Sequence, residues 1–249
     1  MIELGQQAEF VRANLAILGD WFGQPDLGKY ADILAARLDL KDGIESQVAP
    51  VDFFRTKSWD GVLRFGLYRA AQYALTRATG SQVSIETGVL HGLSSAFLLQ
   101  GLADNGSGRL FSVDYPSVFE DGPSNRDGFM DTLPPRMGSG WAVPPALRSR
   151  WDLRLGKSSD LLPQILAENG RVDLFVHDSE HTWDTMTMEF AAIWPALTEG
   201  GVLIADNIDC NTSFFDFARK VGRIPYVAPV DPDHVVPGTS GIRFGVLKK

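Results

Sequence analysis

From residue 82 onward, short apolar runs of strand length alternate with longer helical segments. This alternation implies a parallel sheet with helices on both faces, because consecutive parallel strands need a helix-length crossover. The predicted strands are 83–86, 109–114, 151–155, 172–178 and 201–206. Two later apolar runs, 223–229 and 241–248, have no helix between them and are expected to pair antiparallel at the sheet edge. The sequence therefore predicts a doubly wound α/β fold.

Helical patterns precede this alternating region. They cover residues 3–18, 27–39 and 61–79, the first two ending at a polar stretch near Asp42–Ser46 and the third opened by Asp60. On the third helix, Arg64, Arg69, Gln72 and Arg77 are expected to face solvent. We therefore predict two parts, a helical extension at 1–60 and a main domain at 61–249. The extension is expected to act as a lid or as a dimer contact, so a homodimer is one possible assembly.

One long interruption, residues 115–150, holds most of the turn-forming proline and glycine pairs. It follows the second strand, at the edge where doubly wound sheets bind ligands. Phe129, Met130 and Trp141 would be unusual in a fully solvated loop. We therefore interpret the segment as a substrate-side loop, with a surface insertion as the alternative.

The composition of the chain limits the classes of molecule that it is expected to bind. The formal net charge of −8 disfavours nucleic acid and anionic membranes, because no basic stripe is available to neutralise phosphates. The single cysteine, Cys210, excludes an intrachain disulfide and agrees with a reducing compartment. No signal-peptide pattern and no apolar run near the ~20 residues of a membrane span is found. A cytoplasmic protein with a small-molecule substrate is expected.

The first strand-to-helix turn contains Glu86, Gly88, His91 and Gly92, with only two glycines where a pyrophosphate-binding turn has three. The second strand ends in Asp114, whose carboxylate can accept hydrogen bonds from ribose hydroxyls. Glu86 can meet a cationic amino group, and His91 is expected to line the cofactor. This combination favours S-adenosylmethionine (SAM) over NAD. Taken singly, each motif also fits an ordinary tight turn or cap.

Three oxygen ligands occur at neighbouring strand ends. Asp178 ends the fourth predicted strand, and Asp206 and Asn207 end the fifth. Neighbouring strands lie ~4.8 Å apart, so these side chains can converge. Two carboxylates and one amide suit Mg²⁺ or another hard dication. The alternative is that Asp178 caps the next helix while Asp206 and Asn207 form a turn.

His181 lies three residues after Asp178, where a neutral imidazole can accept a proton from a substrate hydroxyl. A metal ligand or a turn cap are the alternatives. His177 is expected to point away and to be structural, and His234 has no assigned role.

The motifs E-T-G-V-L-H-G-L-S-S, S-V-D, V-H-D-S-E-H and G-G-V-L-I-A-D-N, taken together, resemble the class I SAM-dependent methyltransferases. The resemblance is to the metal-dependent O-methyltransferase branch typified by catechol O-methyltransferase, and to the wider group with macrolide-sugar O-methyltransferases. It covers roughly 60–210. It implies a Rossmann-like sheet of seven strands in the order 3-2-1-4-5-7-6, with only strand seven antiparallel.

The resemblance also implies roles for individual residues. It places Glu86, Gly88 and Ser94 at the methionine part of SAM, Asp114 at the ribose, Ser158 and Ser159 near the adenine, and Asp178, Asp206 and Asn207 at the metal. His181 falls where the catechol enzymes carry a lysine base. The implied reaction is Mg²⁺-assisted O-methylation of a small-molecule hydroxyl on a natural product, sugar or phenol.

Two other functions fit the same residues. One is a metal-independent N- or C-methyltransferase, in which Asp178 and Asp206 are structural; activity in excess chelator would favour it. The other is a SAM-binding protein without catalysis. NAD binding would need a pyrophosphate turn that the sequence lacks, and stabilisation by NAD but not by S-adenosylhomocysteine (SAH) would revive it.

Overall fold

A computed structural model describes residues 4–51, 66–116, 133–230 and 243–249. Several predictions lie outside these ranges. They are the Asp60 cap, the helix start at residue 61, the loop residues Phe129 and Met130, and His234. In the described part of the chain, no helix is long and apolar enough to cross a bilayer.

Seven strands form a single sheet. They are β1 (Val83–Thr87), β2 (Arg109–Asp114), β3 (Trp151–Leu155), β4 (Val172–His177), β5 (Leu197–Ala205), β6 (Tyr226–Val227) and β7 (Gly245–Lys248). Their order is β3-β2-β1-β4-β5-β7-β6. Strands β1 to β5 pair in parallel, and β7 pairs antiparallel with both β5 and β6. The predicted α/β class, strand order and antiparallel edge are confirmed.

Helices cover both faces of the sheet. They are α1 (Leu4–Phe22), α2 (Lys29–Ala35), α3 (Leu38–Val48), α4 (Leu67–Thr79), α5 (Leu93–Asn105), α6 (Ser158–Asn169), α7 (Trp183–Ile193) and α8 (Ser213–Lys220). The core has two hydrophobic clusters. One joins α1 to α5 with one sheet face, and the other joins α6 to α8 with the opposite face. Leu174 and Phe175, adjacent in β4, belong to different clusters, because side chains alternate across a strand.

Three local predictions were wrong. The stretch Asp42–Ser46 does not end a helix but lies inside α3, because Leu40, Ile44 and Val48 recur every four residues and are buried. Helix α4 does not run unbroken from residue 61, because the extended backbone of Gly66 (ψ 156°) precedes its first residue, Leu67. Gln72, which had been expected to face solvent, is fully buried.

The amino-terminal helices share a core with the main domain. Val11, Leu15 and Leu34 belong to the hydrophobic cluster under α4 and α5. A polar link joins the same parts: Arg37 and Arg77 both form ion pairs with Asp104 at the end of α5. Residues 4–51 therefore pack as part of one folded body. The division at residue 60 and a lid or dimer role stay predictions.

Candidate active site

The sheet register brings the carboxyl ends of four strands, β1, β2, β4 and β5, to one edge of the sheet. Thr87 of β1 pairs with Val113 of β2 and with His177 of β4. His177 in turn pairs with Ala205 of β5. The residues that follow these four positions are Gly88, Asp114, Asp178 and Asp206. Parallel strands therefore place the predicted cofactor residues and the predicted metal ligands side by side.

Asp178, His181 and Asp206 form a compact cluster, the acidic cluster, in which one ligand atom of each lies within 4.8 Å of the others. His181 Nε2 lies 3.8 Å from Asp178 Oδ1. An octahedral Mg²⁺ site, with ligands at ~2.1 Å, spans about 4 Å between opposite ligands. The cluster therefore needs only small side-chain adjustments to hold a hard cation.

Asn207 adds a fourth polar group. Its backbone has a φ of +51°, a left-handed conformation that asparagine tolerates better than most residues. Its amide nitrogen lies 3.3 Å from His181 Nε2 and 3.4 Å from His181 Nδ1. Its amide oxygen is buried and has no hydrogen-bond partner among the described residues. A buried oxygen without a partner beside two carboxylates fits a cation ligand.

The electrostatics of the acidic cluster also favour a cation. Burial, then the negative charge of Asp206 and then that of Glu86, raise the pKa of Asp178 well above its usual range. The opposing influence is the positive charge of Arg69. Adjacent carboxylates repel each other when both are ionised, so the arrangement is most stable with a positive charge between them.

Glu86 is fully buried, and its contacts are with protein hydroxyls. Ser94 donates to Oε1 at 2.6 Å, while Ser95 at 2.6 Å and Ser112 at 2.8 Å donate to Oε2. Burial raises the pKa of Glu86 to about 7, and the three hydroxyls limit the rise. Glu86 of β1 thus links the start of α5, through Ser94 and Ser95, to β2, through Ser112. Their direct contact with a cofactor stays a prediction.

Gly88 and Gly92 shape the turn after β1, because both have positive φ angles and neither position has room for a β-carbon. With φ at +83°, a β-carbon on Gly88 would lie 1.8 Å from the carbonyl oxygen of Asp178. A β-carbon on Gly92 (φ +86°) would lie 2.6 Å from a methyl of Val143 and 2.7 Å from Gly140 Cα. Both glycines therefore let the turn pack closely against neighbouring residues. At Gly88 the end of β1 contacts the backbone of Asp178, a member of the acidic cluster.

Asp114 supports the same turn. Its Oδ1 accepts a hydrogen bond from the backbone N–H of Val89 at 3.2 Å. Burial raises the pKa of Asp114, and hydrogen bonds, including the one from Val89, act against the rise. The carboxylate is partly exposed at the sheet edge, where it stays available for its predicted contact with ribose hydroxyls.

His91 joins the turn to the described part of the predicted substrate-side loop. The Trp141 indole donates to His91 Nδ1 at 3.0 Å, and the N–H of Ala142 donates to the His91 carbonyl at 3.0 Å. The loop residue that had been expected to face a ligand therefore lies directly on the first turn. This contact keeps Trp141 beside the predicted cofactor side of the edge.

Ser158 and Ser159 begin α6 and differ in surroundings. Ser159 is exposed, and its hydroxyl donates to Asp160 at 3.2 Å. The Ser158 hydroxyl contacts buried Glu189 and lowers its pKa. The predicted adenine contact of both serines stays a prediction.

A buried network that the sequence did not indicate lies beneath the acidic cluster. Glu189 of α7 accepts hydrogen bonds from Thr87 at 2.6 Å and Ser179 at 2.9 Å, and its carboxylate lies 2.7 Å from His177 Nδ1. Burial would raise the pKa of Glu189, but His177 and the hydroxyls outweigh burial and lower it. The only signal in the sequence was an acidic residue within the largely apolar stretch of α7. His177 had been expected to point away, but its ring packs edge-on against His181 of the acidic cluster, with centroids 5.4 Å apart. Its structural role stays a prediction.

Residues 85–208 match a family model described as a methyltransferase domain. A comparison with curated proteins gave no significant match.

Solved structures share the fold. An O-methyltransferase from Bacillus cereus in complex with SAH is 16% identical, with 84% of this chain and 90% of that chain covered and a TM-score of 0.54. The O-methyltransferase TomG from Streptomyces achromogenes, in complex with SAM, is 16% identical, with 84% and 88% covered and a TM-score of 0.51. CalS11, a TDP-rhamnose 3′-O-methyltransferase, is 16% identical, with 85% and 93% covered and a TM-score of 0.50.

The family match lies on the segment that contains Glu86, Asp114 and the acidic cluster, and the sheet has the strand order expected of the family. The chain belongs to the class I SAM-dependent methyltransferases.

Proposed function

We propose that the enzyme transfers the methyl group of SAM to a hydroxyl of a small molecule, with assistance from Mg²⁺ or a similar dication. The observation that carries this proposal is the acidic cluster, because Asp178, His181 and Asp206 meet within 4.8 Å at the edge that also holds the first strand turn. A methyltransferase that did not use a cation would have no evident need for two adjacent, partly buried carboxylates there.

Two sets of residues would serve the cation and the cofactor. Asp178, Asp206 and the Asn207 amide oxygen would hold the cation, and Gly88, His91, Gly92, Ser94, Asp114, Ser158, Ser159 and Glu86 shape the SAM side. Bound SAM supplies an activated methyl group, and a bound dication supplies positive charge that favours ionisation of an oxygen ligand. Most of the rate gain is expected from holding two reactants in line, on the order of 7–11 kcal/mol at best.

His181 is the proposed general base. It is buried, and its Nε2 lies 3.8 Å from Asp178 Oδ1, so the ring faces the place where an acceptor hydroxyl would be held. Its unprotonated ring nitrogen would take the proton of that hydroxyl, and the oxygen would bond to the methyl carbon while the S–CH3 bond of SAM breaks and neutral SAH leaves. The alternative role is that of a cation ligand, since His181 belongs to the same cluster.

The acceptor is proposed to be a natural product, a sugar or a phenol. Trp141 offers an aromatic wall beside the first turn. Two proteins with the same fold are described as a tomaymycin-synthesis O-methyltransferase and a TDP-rhamnose 3′-O-methyltransferase. A cytoplasmic location and a homodimer also stay predictions.

Chelation tests the proposal. Purified enzyme is incubated with SAM and a panel of phenols, sugars and amines, and methylated products are identified by mass spectrometry. We expect methylation of oxygen that falls to background in excess EDTA and returns when Mg²⁺ is added in excess over the chelator. Full turnover in EDTA, or methylation of nitrogen or carbon alone, would favour the metal-independent alternative.

A further inference from the structure

The first turn of α4 lies over the acidic cluster. Helix α4 leads through Gly80 directly into β1, so it runs antiparallel to the strand and begins at the carboxyl edge of the sheet. It packs on β4 and β5, the two strands that end in Asp178 and Asp206. Tyr68, the second residue of α4, is therefore placed above the proposed metal site.

Two polar side chains on this face of α4 have no hydrogen-bond partner among the described residues. The hydroxyl of Tyr68 is buried, and so are both amide atoms of Gln72, one helical turn further on. Gln72 as a whole has no exposed surface. A buried polar group destabilises the folded state when it is left without a hydrogen-bond partner. Groups of this kind next to a ligand site are explained when a ligand completes them.

The surroundings of Tyr68 indicate what it can bind. Burial, followed by the carboxylates of Asp178, Asp206 and Glu86, raises the pKa of Tyr68 well above its usual range, so the phenol stays protonated and can donate. The Gln72 side chain lies close to the Tyr68 hydroxyl and lowers its pKa, but the contact lacks the geometry of a full hydrogen bond. The ring packs on Phe244, with centroids 5.2 Å apart, and this contact fixes its direction.

The charges of SAM and of the surrounding carboxylates exclude most parts of the cofactor as the group that accepts a hydrogen bond from Tyr68. The ammonium group of SAM has no lone pair, and the positive charge of the sulfonium group makes its sulfur a very poor hydrogen-bond acceptor. The carboxylate of SAM would be repelled by three acidic side chains. An oxygen of the acceptor molecule, held beside Asp178 and Asp206, has both the lone pair and the right surroundings.

We propose that Tyr68 binds the methyl acceptor, by donating a hydrogen bond from its hydroxyl to an acceptor oxygen, with Gln72 behind it as a positioning residue. The inference rests on the proposed function, because it assumes that the acceptor is held at the acidic cluster. It assigns α4 a part in acceptor specificity. A second oxygen close to the methylated hydroxyl would let an acceptor contact the acidic cluster and Tyr68 together.

Tyr68→Phe tests the proposal, and Tyr226→Phe is the matched control. Tyr226 also has a buried hydroxyl without a described partner and lies near the same Phe244 ring, 6.3 Å away, but burial alone raises its pKa, to about 12. We expect Tyr68→Phe to weaken acceptor binding to the enzyme–SAH–Mg²⁺ complex about ten-fold in calorimetry. The affinities for SAH and Mg²⁺ should stay within two-fold of wild type. The Tm of the free enzyme should stay within about 2 °C of wild type.

The outcomes separate this inference from the proposed function. Acceptor affinity within two-fold of wild type in Tyr68→Phe overturns the inference, as does an equal loss in Tyr226→Phe. Weakened SAH binding with unchanged acceptor binding also overturns it, because Tyr68 would then serve the cofactor. Turnover that persists in EDTA contradicts the proposed metal role, whereas acceptor binding to the two tyrosine variants still decides the role of Tyr68.

Discussion

Asp178→Asn and Asp206→Asn, each made singly, are expected to lower methyl transfer by about 10³-fold or more while SAH affinity changes little. Each change keeps the side-chain shape and removes one negative charge from the acidic cluster, where ligand atoms lie within 4.8 Å. Loss of a cation ligand removes several kcal/mol of stabilisation from the developing oxyanion, and each 1.36 kcal/mol is a factor of ten in rate. Single-turnover rates at saturating SAM and Mg²⁺ measure the effect.

Asp209→Asn is the matched control. Asp209 follows the same strand, but its carboxylate forms an ion pair with Arg243 at 2.6 Å and lies outside the acidic cluster. Its variant should keep rates within a few-fold of wild type. Near-normal rates in either Asp178→Asn or Asp206→Asn, with folding verified by circular dichroism, would show that the two carboxylates are structural.

His181→Gln is expected to reduce kcat by about 10²–10⁴-fold with a small change in acceptor KM, because general-base catalysis contributes in that range. The loss should be larger for an alkyl hydroxyl than for a phenol, since a more acidic hydroxyl depends less on a base. Rates for a matched pair of such acceptors, measured with wild type and variant, test this dependence.

Metal affinity separates the two roles of His181. A base can be removed without much change in the Mg²⁺ concentration needed for half-maximal rate. A metal ligand cannot be removed in this way, because the loss of one coordinating side chain weakens Mg²⁺ binding directly. If His181→Gln raises that Mg²⁺ concentration in proportion to the fall in rate, the base assignment is wrong and His181 is a ligand.

Much of the fold could be predicted because central strands such as β1 and β4 are buried on both faces and appear as short apolar runs. The stretch Asp42–Ser46 could not, because its polar residues hide the spacing of Leu40, Ile44 and Val48 along α3. Gln72 was misplaced for a similar reason: a polar residue on a helix is usually solvated, and only the structure shows the sheet edge above which it lies.

The candidate site was predictable where a residue ends a strand. Asp178 and Asp206 follow neighbouring strands, so their convergence follows from sheet geometry alone. The reason for Gly88 was not predictable, because the carbonyl that it avoids belongs to Asp178, ninety residues away in the chain. The network of Glu189 and His177 likewise joins β1, β4 and α7 and leaves no local pattern.

A crystal grown with SAH and Mn²⁺, with anomalous data collected at the manganese edge, tests the central claim most directly. We expect one anomalous peak at about 2.1 Å from carboxylate oxygens of Asp178 and Asp206 and from the Asn207 amide oxygen, with SAH bound at the turn after β1. If SAH is bound at that turn while the two carboxylates share no metal peak at saturating Mn²⁺, the proposed metal site is wrong.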